Sequence, residues 1–192
     1  MNLENNLRNA VSVLRDTYVN IEKLARFLQD KAQENGFVCM TNDILMWQSK
    51  RNTYGWVTSK FTLVFQHADS PLFENGWRDD DIYGVEISFE SDDEMCLYVS
   101  KFHYSMGLRD WRPGCKPSDD WGFTHPKWNH GKFNIVKQDG LIVSTPRSAK
   151  ESREYWGIDY AVYKGETLFD LTADNVNEKI FSVMKELSGF KI

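Results

Sequence analysis

The feature of the sequence that most constrains its fold is a change in the period of its hydrophobic residues near residue 37. From Leu3 to Glu34 the chain has no proline or glycine, and apolar residues recur every three or four positions. This spacing predicts one amphipathic helix about 45 Å long, which Asn35-Gly36 would end. Between Phe37 and Tyr104, apolar and polar residues instead alternate in short runs, which indicates β-strands.

We divide the chain into five consecutive segments of a single domain. They are a long amphipathic helix (1–36), strand hairpins (37–104), a Trp/Pro/Gly-rich loop (105–132), a hairpin with a short helix and strands (133–171), and a C-terminal helix (172–190). Sequential hairpins without strand–helix alternation favour an α+β fold. We expect a mostly antiparallel sheet of about five to eight strands, with both helices packed on it.

Two turn signals place elements within residues 133–171. Asp139-Gly140 between apolar runs predicts a tight hairpin, because both central residues of such a turn need positive φ. Thr145-Pro146 has the character of an N-cap followed by the first residue of a helix. We therefore expect a short helix to begin there and to close near Gly157.

The hairpin over residues 82–103 decides which of its side chains share a face. If Glu90 pairs with Met95 across a four-residue loop, one face is aromatic and buried. That face would hold Tyr83, Val85, Ile87 and Phe89 beside Phe102, Ser100, Tyr98 and Cys96. On the other face, Glu86 would lie diagonal to Lys101, within reach of that long side chain.

Glu86, Glu90 and Lys101 are the candidate catalytic residues that follow from this register. In a metal-dependent hydrolase or nuclease-like enzyme, carboxylates hold the cation and a lysine steadies the attacking water. In outline the set resembles the PD-(D/E)xK nuclease core, but the tripeptide ending at Lys101 is Val-Ser-Lys and lacks the acid of that motif. A plain cross-strand ion pair between Glu86 and Lys101 is the alternative.

Acidic residues are concentrated in one stretch of the chain. Residues 79–94 contain eight acidic residues and no basic one, within a chain of net charge −5. The candidate binding residues in this acidic hairpin are Asp79, Asp80, Asp81, Asp92, Asp93 and Glu94. They predict a surface that steers a basic partner or mimics the phosphates of a nucleic acid. The alternatives are a divalent-cation site and ordinary solvated turn residues. The negative net charge argues against direct nucleic-acid binding.

A second stretch, residues 109–132, interleaves tryptophans with basic side chains, a composition favoured at interfaces. The candidate contact residues of this Trp/basic loop are Arg109, Trp111, Arg112, Trp121 and Trp128. They would contact a protein partner, line an aromatic pocket for a small ligand, or form a satellite core that holds the loop down.

Cys115, His125 and His130 are the candidate metal ligands, although they lack the tight spacing of structural zinc sites. No cofactor is expected, since the GxGxxG, GxxxxGK[ST] and GxSxG motifs are absent from the sequence. Three cysteines without a CxxC pair, and the absence of any signal peptide or membrane span, predict a cytoplasmic protein with reduced thiols.

These patterns together predict a non-enzymatic module that binds another protein through the acidic hairpin and the Trp/basic loop. A metal-dependent hydrolase and a small-ligand-binding domain with an aromatic pocket are the alternatives. The first helix packs on its own sheet or pairs with its copy in a homodimer. Its apolar stripe drifts from strict heptads, which favours packing on the sheet.

Overall fold

The residues with helical spacing of their apolar side chains form helix α1, Leu3–Glu34, as predicted. The Asn2 side chain caps the helix by accepting a hydrogen bond from the backbone N–H of Glu4. At the other end, Asn35 closes the helix and Gly36 adopts φ +84°. The computed structural model describes residues 2–46, 57–89, 95–104 and 121–192, apart from the side chains of Trp121 and Phe169.

Seven strands, counted within these described residues, form one antiparallel sheet in the order β1-β2-β3-β4-β7-β6-β5. The strands are β1 (Phe37–Cys39), β2 (Lys60–His67), β3 (Ile82–Ser88), β4 (Cys96–Tyr104), β5 (Phe133–Gln138), β6 (Leu141–Pro146) and β7 (Ile158–Thr167). The predicted α+β class, the antiparallel sheet and its strand number are confirmed.

Shorter helical elements connect and cover the strands. They are a 3-10 segment (Trp121–Lys127), α2 (Ala149–Glu154), a 3-10 turn (Leu168–Asp170), a π-helical turn (Asn177–Ser182) and α3 (Val183–Ser188). The 3-10 segment lies in the loop that we expected to be irregular. The π-helical turn and α3 together form the predicted C-terminal helix, which buries Ile180, Met184 and Leu187 and ends at Gly189.

Each face of the sheet carries its own hydrophobic core. On one face, called here the helix face, α1 and the C-terminal helix cover the strands. Its core contains Leu28, Phe37, Phe65, Tyr83, Val85, Val99, Phe181 and Met184. The opposite face is covered by the 3-10 segment and the residues around α2, with Val64, Ile82, Phe102, Phe123, Phe133 and Tyr155 in its core. Because both faces are covered, β3 is buried along its whole length.

The register of the β3–β4 hairpin differs from the predicted one by one residue. Glu86 pairs with Tyr98, and Tyr83 pairs with Lys101. A shift of one residue moves every side chain of one strand to the other face. The predicted grouping of Tyr83 with Phe102 is therefore wrong. Polarity could not reveal the error, since both faces of β3 are buried.

The two turn predictions have opposite outcomes. Asp139 and Gly140 join β5 to β6 with φ of 50° and 81°, so the predicted tight hairpin is confirmed. The predicted helix start at Thr145-Pro146 is wrong, because both residues belong to β6 and pair with β5. Ser148 caps α2 instead, by accepting a hydrogen bond from the backbone N–H of Lys150.

Candidate functional site

Glu86 and Lys101, the central pair of the predicted catalytic set, lie on opposite faces of the sheet. Glu86 points to the opposite face, where its Oε1 lies 2.8 Å from the Lys127 ammonium. The Thr62 hydroxyl donates a hydrogen bond to Glu86 Oε2 at 3.5 Å. Both charged side chains are buried. This ion pair attaches the 3-10 segment to the sheet.

Aromatic side chains surround the Glu86–Lys127 pair. The Lys127 ammonium lies 5.3 Å from the centre of the Tyr98 ring, close enough for a cation–π contact. The Tyr163 hydroxyl donates to the Lys127 carbonyl at 2.5 Å. Burial raises the pKa of Tyr98 and of Tyr163 to about 12 each. Both hydroxyls are therefore neutral hydrogen-bonding groups at physiological pH.

Lys101 is buried on the helix face, where it anchors the C-terminal end of the chain. Its ammonium lies 2.9 Å from Asp81 Oδ2. It also donates to the backbone carbonyls of Ser188 at 3.2 Å and Phe190 at 2.9 Å. One carbonyl belongs to the last residue of α3 and the other lies two residues beyond it, so Lys101 satisfies acceptors that the helix end leaves open. The partner of Lys101 is thus Asp81 and not Glu86.

Two of the three aspartates at the start of the acidic hairpin make ion pairs within the chain. Asp81 Oδ1 lies 2.6 Å from Nδ1 of His103, in addition to its contact with Lys101. Asp80 Oδ2 accepts hydrogen bonds at 2.7 Å from both the backbone N–H and the ring of His67. The hydrogen bond to Asp80 raises the pKa of His67, against an opposing effect of burial. Asp79 remains exposed.

The remaining predicted site residues are only partly described. Glu90, Asp92, Asp93, Glu94, Arg109, Trp111, Arg112 and Cys115 lie outside the described residues. Trp121 begins the 3-10 segment. Trp128 keeps 44% of its surface exposed, and the Lys60 ammonium lies 5.4 Å from the centre of its ring. The acidic hairpin and the Trp/basic loop therefore stay predictions as binding surfaces.

The two candidate metal-binding histidines have different surroundings. His125 is buried, and its Nδ1 shares a hydrogen bond with the Tyr155 hydroxyl at 2.7 Å. His130 is exposed on the surface. Within the described residues, no group of three or more His, Cys, Asp or Glu side chains is placed to hold a metal ion.

An uncovered apolar surface lies on α1, where Leu3, Leu7 and Leu14 are exposed. Only its second half packs on the sheet, through Ile21, Ala25, Leu28 and Ala32. Eighteen residues make five full turns at about 3.6 residues per turn, so Leu3, Leu7, Ala10 and Leu14 occupy the same face of the helix. These four residues, here called the free α1 face, are all exposed. Leu3 is 72% exposed and Leu7 58%, whereas Leu28 is 1% exposed.

The length of α1 explains why one half is uncovered. A helix of 32 residues is about 48 Å long, whereas a strand of eight residues spans about 27 Å. Tyr18 contacts the beginning of β2 and the residues just before it. Its hydroxyl donates to the Thr58 carbonyl at 3.2 Å, and its ring lies 5.5 Å from that of Phe61. The residues before Tyr18 extend past this end of the sheet.

The sequence already contained the signal for the free α1 face, since its apolar stripe runs unbroken over the whole helix. It held no information on where the sheet would end, so packing of the whole helix on the sheet and pairing with a second copy stayed alternatives.

In comparisons with protein-family models, with curated proteins and with solved structures, the chain has no significant match. No helix in the described ranges combines the length and the apolar character needed to cross a membrane.

Proposed function

We propose that this protein is a non-enzymatic protein-binding module whose principal docking surface is the free α1 face. One observation carries the proposal: the free α1 face lies on the same side of the helix as the residues that pack on the sheet five turns later. The buried half approaches the sheet through two alanines, whereas the free half presents three leucines, Leu3, Leu7 and Leu14. A contiguous exposed apolar patch of several hundred Å² on a soluble protein commonly marks an interaction site.

A groove beside the free α1 face extends the docking surface. Its volume is about 600 Å³, and it is lined by Ala10, Val13 and Leu14 of α1 together with Val57 and Phe89. Val13 is 66% exposed and Val57 is 47% exposed. A second helix laid along α1 would cover both the face and the groove, in the manner of helix-in-groove recognition.

We assign a second copy of this chain as the occupant. The spacing of Leu3, Leu7, Ala10 and Leu14 is four, three and four residues, which is the spacing of a coiled-coil seam. The exposed half of α1 carries two acids and two bases, Glu4, Arg8, Arg15 and Asp16. Two copies would therefore meet here without net repulsion, although the whole chain has a charge of −5.

The dimer should be reversible and concentration-dependent. Stable interfaces bury about 800 Å² on each partner, and we expect a pairing through one helix face and its groove to be weaker than a permanent dimer. The Cys39 thiol, which is not in a disulfide bond, supports the accompanying proposal that the protein works in the reducing cytoplasm.

Sedimentation velocity over micromolar to millimolar concentrations tests the pairing. We expect the wild type to shift from monomer to dimer as its concentration rises. Leu7→Glu should stay monomeric, because it places a carboxylate in the middle of the seam. Ser12→Glu is the matched control, since it adds the same charge on the opposite, exposed side of α1 and should dimerise like the wild type.

Two results would contradict the proposal. One is a wild type that stays monomeric throughout the concentration range. The other is equal weakening by Leu7→Glu and Ser12→Glu, which would indicate a general effect of charge. Since Leu7 is exposed, both variants should keep the wild-type melting temperature, and this measurement separates lost pairing from lost folding.

A further inference from the structure

A cleft of about 530 Å³ lies between α1 and the chain that follows β7. Its floor is formed by Ile87, Phe89 and Met95 at one end of the sheet. One wall is α1 from Thr17 to Phe27, and the other is the stretch from Leu168 to Val176. This volume lies within the range of about 300–1,000 Å³ that is typical of small-molecule sites.

Of the four polar side chains among the described lining residues, three lie on α1 and one, Thr172, lies on the opposite wall. The deep lining is aliphatic and aromatic, and includes Leu24 and Leu171. Thr17, Asn20 and Lys23 follow one another at three-residue intervals, so they form a row along one flank of α1. The Thr17 hydroxyl already donates to the Val13 carbonyl at 2.8 Å. Asn20 and Lys23 are exposed and supply the donors of the rim.

The charge contributed by the described part of the rim is positive. Among the described residues that line the cleft, Lys23 is the one with a charged side chain. Its neighbour Glu22 forms an ion pair with Arg26 at 2.5 Å, so this carboxylate is engaged elsewhere. Among the described residues, Lys23 itself has no ion-pair partner within 4.0 Å. An anion at this rim would meet an unneutralised ammonium.

We propose that the cleft binds a straight-chain carboxylate, with its acyl tail on the Ile87–Phe89–Met95 floor and its carboxylate at Lys23. The α1 wall from Thr17 to Phe27 is about 15 Å long, which suits an extended acyl chain better than a compact ring system. The tail replaces water over the apolar lining, and the Lys23 ammonium neutralises the head group. This inference does not rest on the proposed pairing through the free α1 face.

Calorimetric titration with octanoate, decanoate and dodecanoate, all below their micelle concentrations, tests the inference. Each added methylene should tighten binding by up to about fourfold, because burying a methylene contributes about 0.8 kcal/mol. The alcohols of equal chain length are the matched ligands without charge. We expect them to bind the wild type more weakly than the carboxylates.

Three variants separate the two parts of the site. Lys23→Ala should weaken dodecanoate binding by up to about fivefold and leave dodecanol unchanged. Lys150→Ala, which removes the same charge from the exposed surface of α2, should have no effect. Ala173→Trp places an indole at the exposed edge of the cleft and should weaken both ligands at least tenfold while the melting temperature holds.

The proposal is overturned if affinity is independent of chain length, or if binding occurs only above the micelle concentration. It is also overturned if Lys23→Ala weakens acid and alcohol equally, or if Ala173→Trp binds like the wild type. Leu7→Glu should bind dodecanoate normally, so that a failure of the pairing proposal and a failure of this one are distinguishable.

Discussion

The two faces of the sheet each bury one lysine–carboxylate pair, but the pairs have different surroundings. On the helix face, Lys101 contacts Asp81 and two backbone carbonyls at the end of α3 and just beyond it, and the Asp81 side chain keeps 18% of its surface exposed. On the opposite face, Lys127 contacts Glu86, whose side chain is only 4% exposed. The Lys101 pair therefore anchors a chain end in a partly hydrated site, whereas the Glu86–Lys127 pair is almost completely dehydrated.

This comparison shows what each lysine contributes. Removing water from two charges carries a free-energy cost that their attraction only partly offsets. The Glu86–Lys127 pair should therefore be replaceable by two apolar side chains. Lys101 should not be replaceable in this way, because the Ser188 carbonyl would lose the lysine donor and the Phe190 carbonyl would keep only the Tyr160 hydroxyl.

The largest expected effect is that of Lys101→Met. The change leaves Asp81 without its ammonium, takes the lysine donor from the Ser188 carbonyl and leaves the Phe190 carbonyl with only the Tyr160 hydroxyl, so we expect the free energy of unfolding to fall by about 3–5 kcal/mol. Urea denaturation measures the loss, and hydrogen exchange should show early opening of α3. Lys150→Met on the exposed surface of α2 is the control, and a loss below about 1 kcal/mol in Lys101→Met would refute the anchoring role.

The next effect sharpens the contrast through a double-mutant cycle on the opposite face. Glu86→Leu alone should cost about 3 kcal/mol, because the buried Lys127 ammonium loses its carboxylate. Adding Lys127→Met to Glu86→Leu should recover most of the stability. The corresponding double change Asp81→Asn with Lys101→Met should recover little. Equal recovery on both faces would erase the distinction between them.

A smaller effect compares two tyrosine hydroxyls that donate to carbonyls on the two faces. Tyr163→Phe removes the hydrogen bond to the buried carbonyl of Lys127 and should cost about 1–2 kcal/mol. Tyr160→Phe removes the bond to the Phe190 carbonyl, to which Lys101 still donates, and should cost about 0.5–1 kcal/mol. Urea denaturation measures both losses of unfolding free energy, and the comparison requires Tyr163→Phe to lose more than Tyr160→Phe.

The smallest effect is a pH dependence that belongs to the helix face. The hydrogen bond to Asp80 raises the pKa of His67 above its ordinary value of 6.5. Its stabilising contribution is therefore complete below about pH 6.5, and is lost as the pH rises through the raised pKa. We expect the melting temperature to fall over this interval in the wild type, and to fall less in Asp80→Asn.

A control on the opposite face tests whether this pH dependence is local. Tyr163 has its pKa raised by burial to about 12, so it does not titrate between pH 6 and 8. Tyr163→Phe should therefore lower the melting temperature by the same amount at each pH and preserve the wild-type slope. A flattened slope in Tyr163→Phe, or an unchanged slope in Asp80→Asn, would contradict the assignment to His67.

Local patterns predicted the elements of the fold well. The helical spacing of residues 3–34, the Asp139-Gly140 turn and the buried stripe through Ile180 and Leu187 each depend on residues within a few turns of one another. Such signals determine secondary structure because backbone preference and the burial of neighbouring side chains both act between residues that are close in the sequence. The wrong helix start at Thr145-Pro146 shows the limit, since pairing with β5 outweighed a local capping signal.

The candidate site was harder to predict because it depends on register. The expected partnership of Glu86 with Lys101 needed one particular alignment of β3 and β4, and the observed alignment differs by one residue. Because both faces of β3 are buried, the alternation of its residues carried no polarity signal that could distinguish the two alignments. The true partners, Lys127 for Glu86 and Asp81 for Lys101, come from segments that no local pattern connects.

Helix α1 shows most directly what the sequence determined by itself and what only the tertiary structure decided. The unbroken apolar stripe from Leu3 to Leu28 determined that a long amphipathic helix would form, because its periodicity is a property of neighbouring residues. Which part of that stripe would be buried depended on where the sheet ends. The strands are shorter than the helix, so the tertiary structure covers Leu28 and leaves Leu7 exposed.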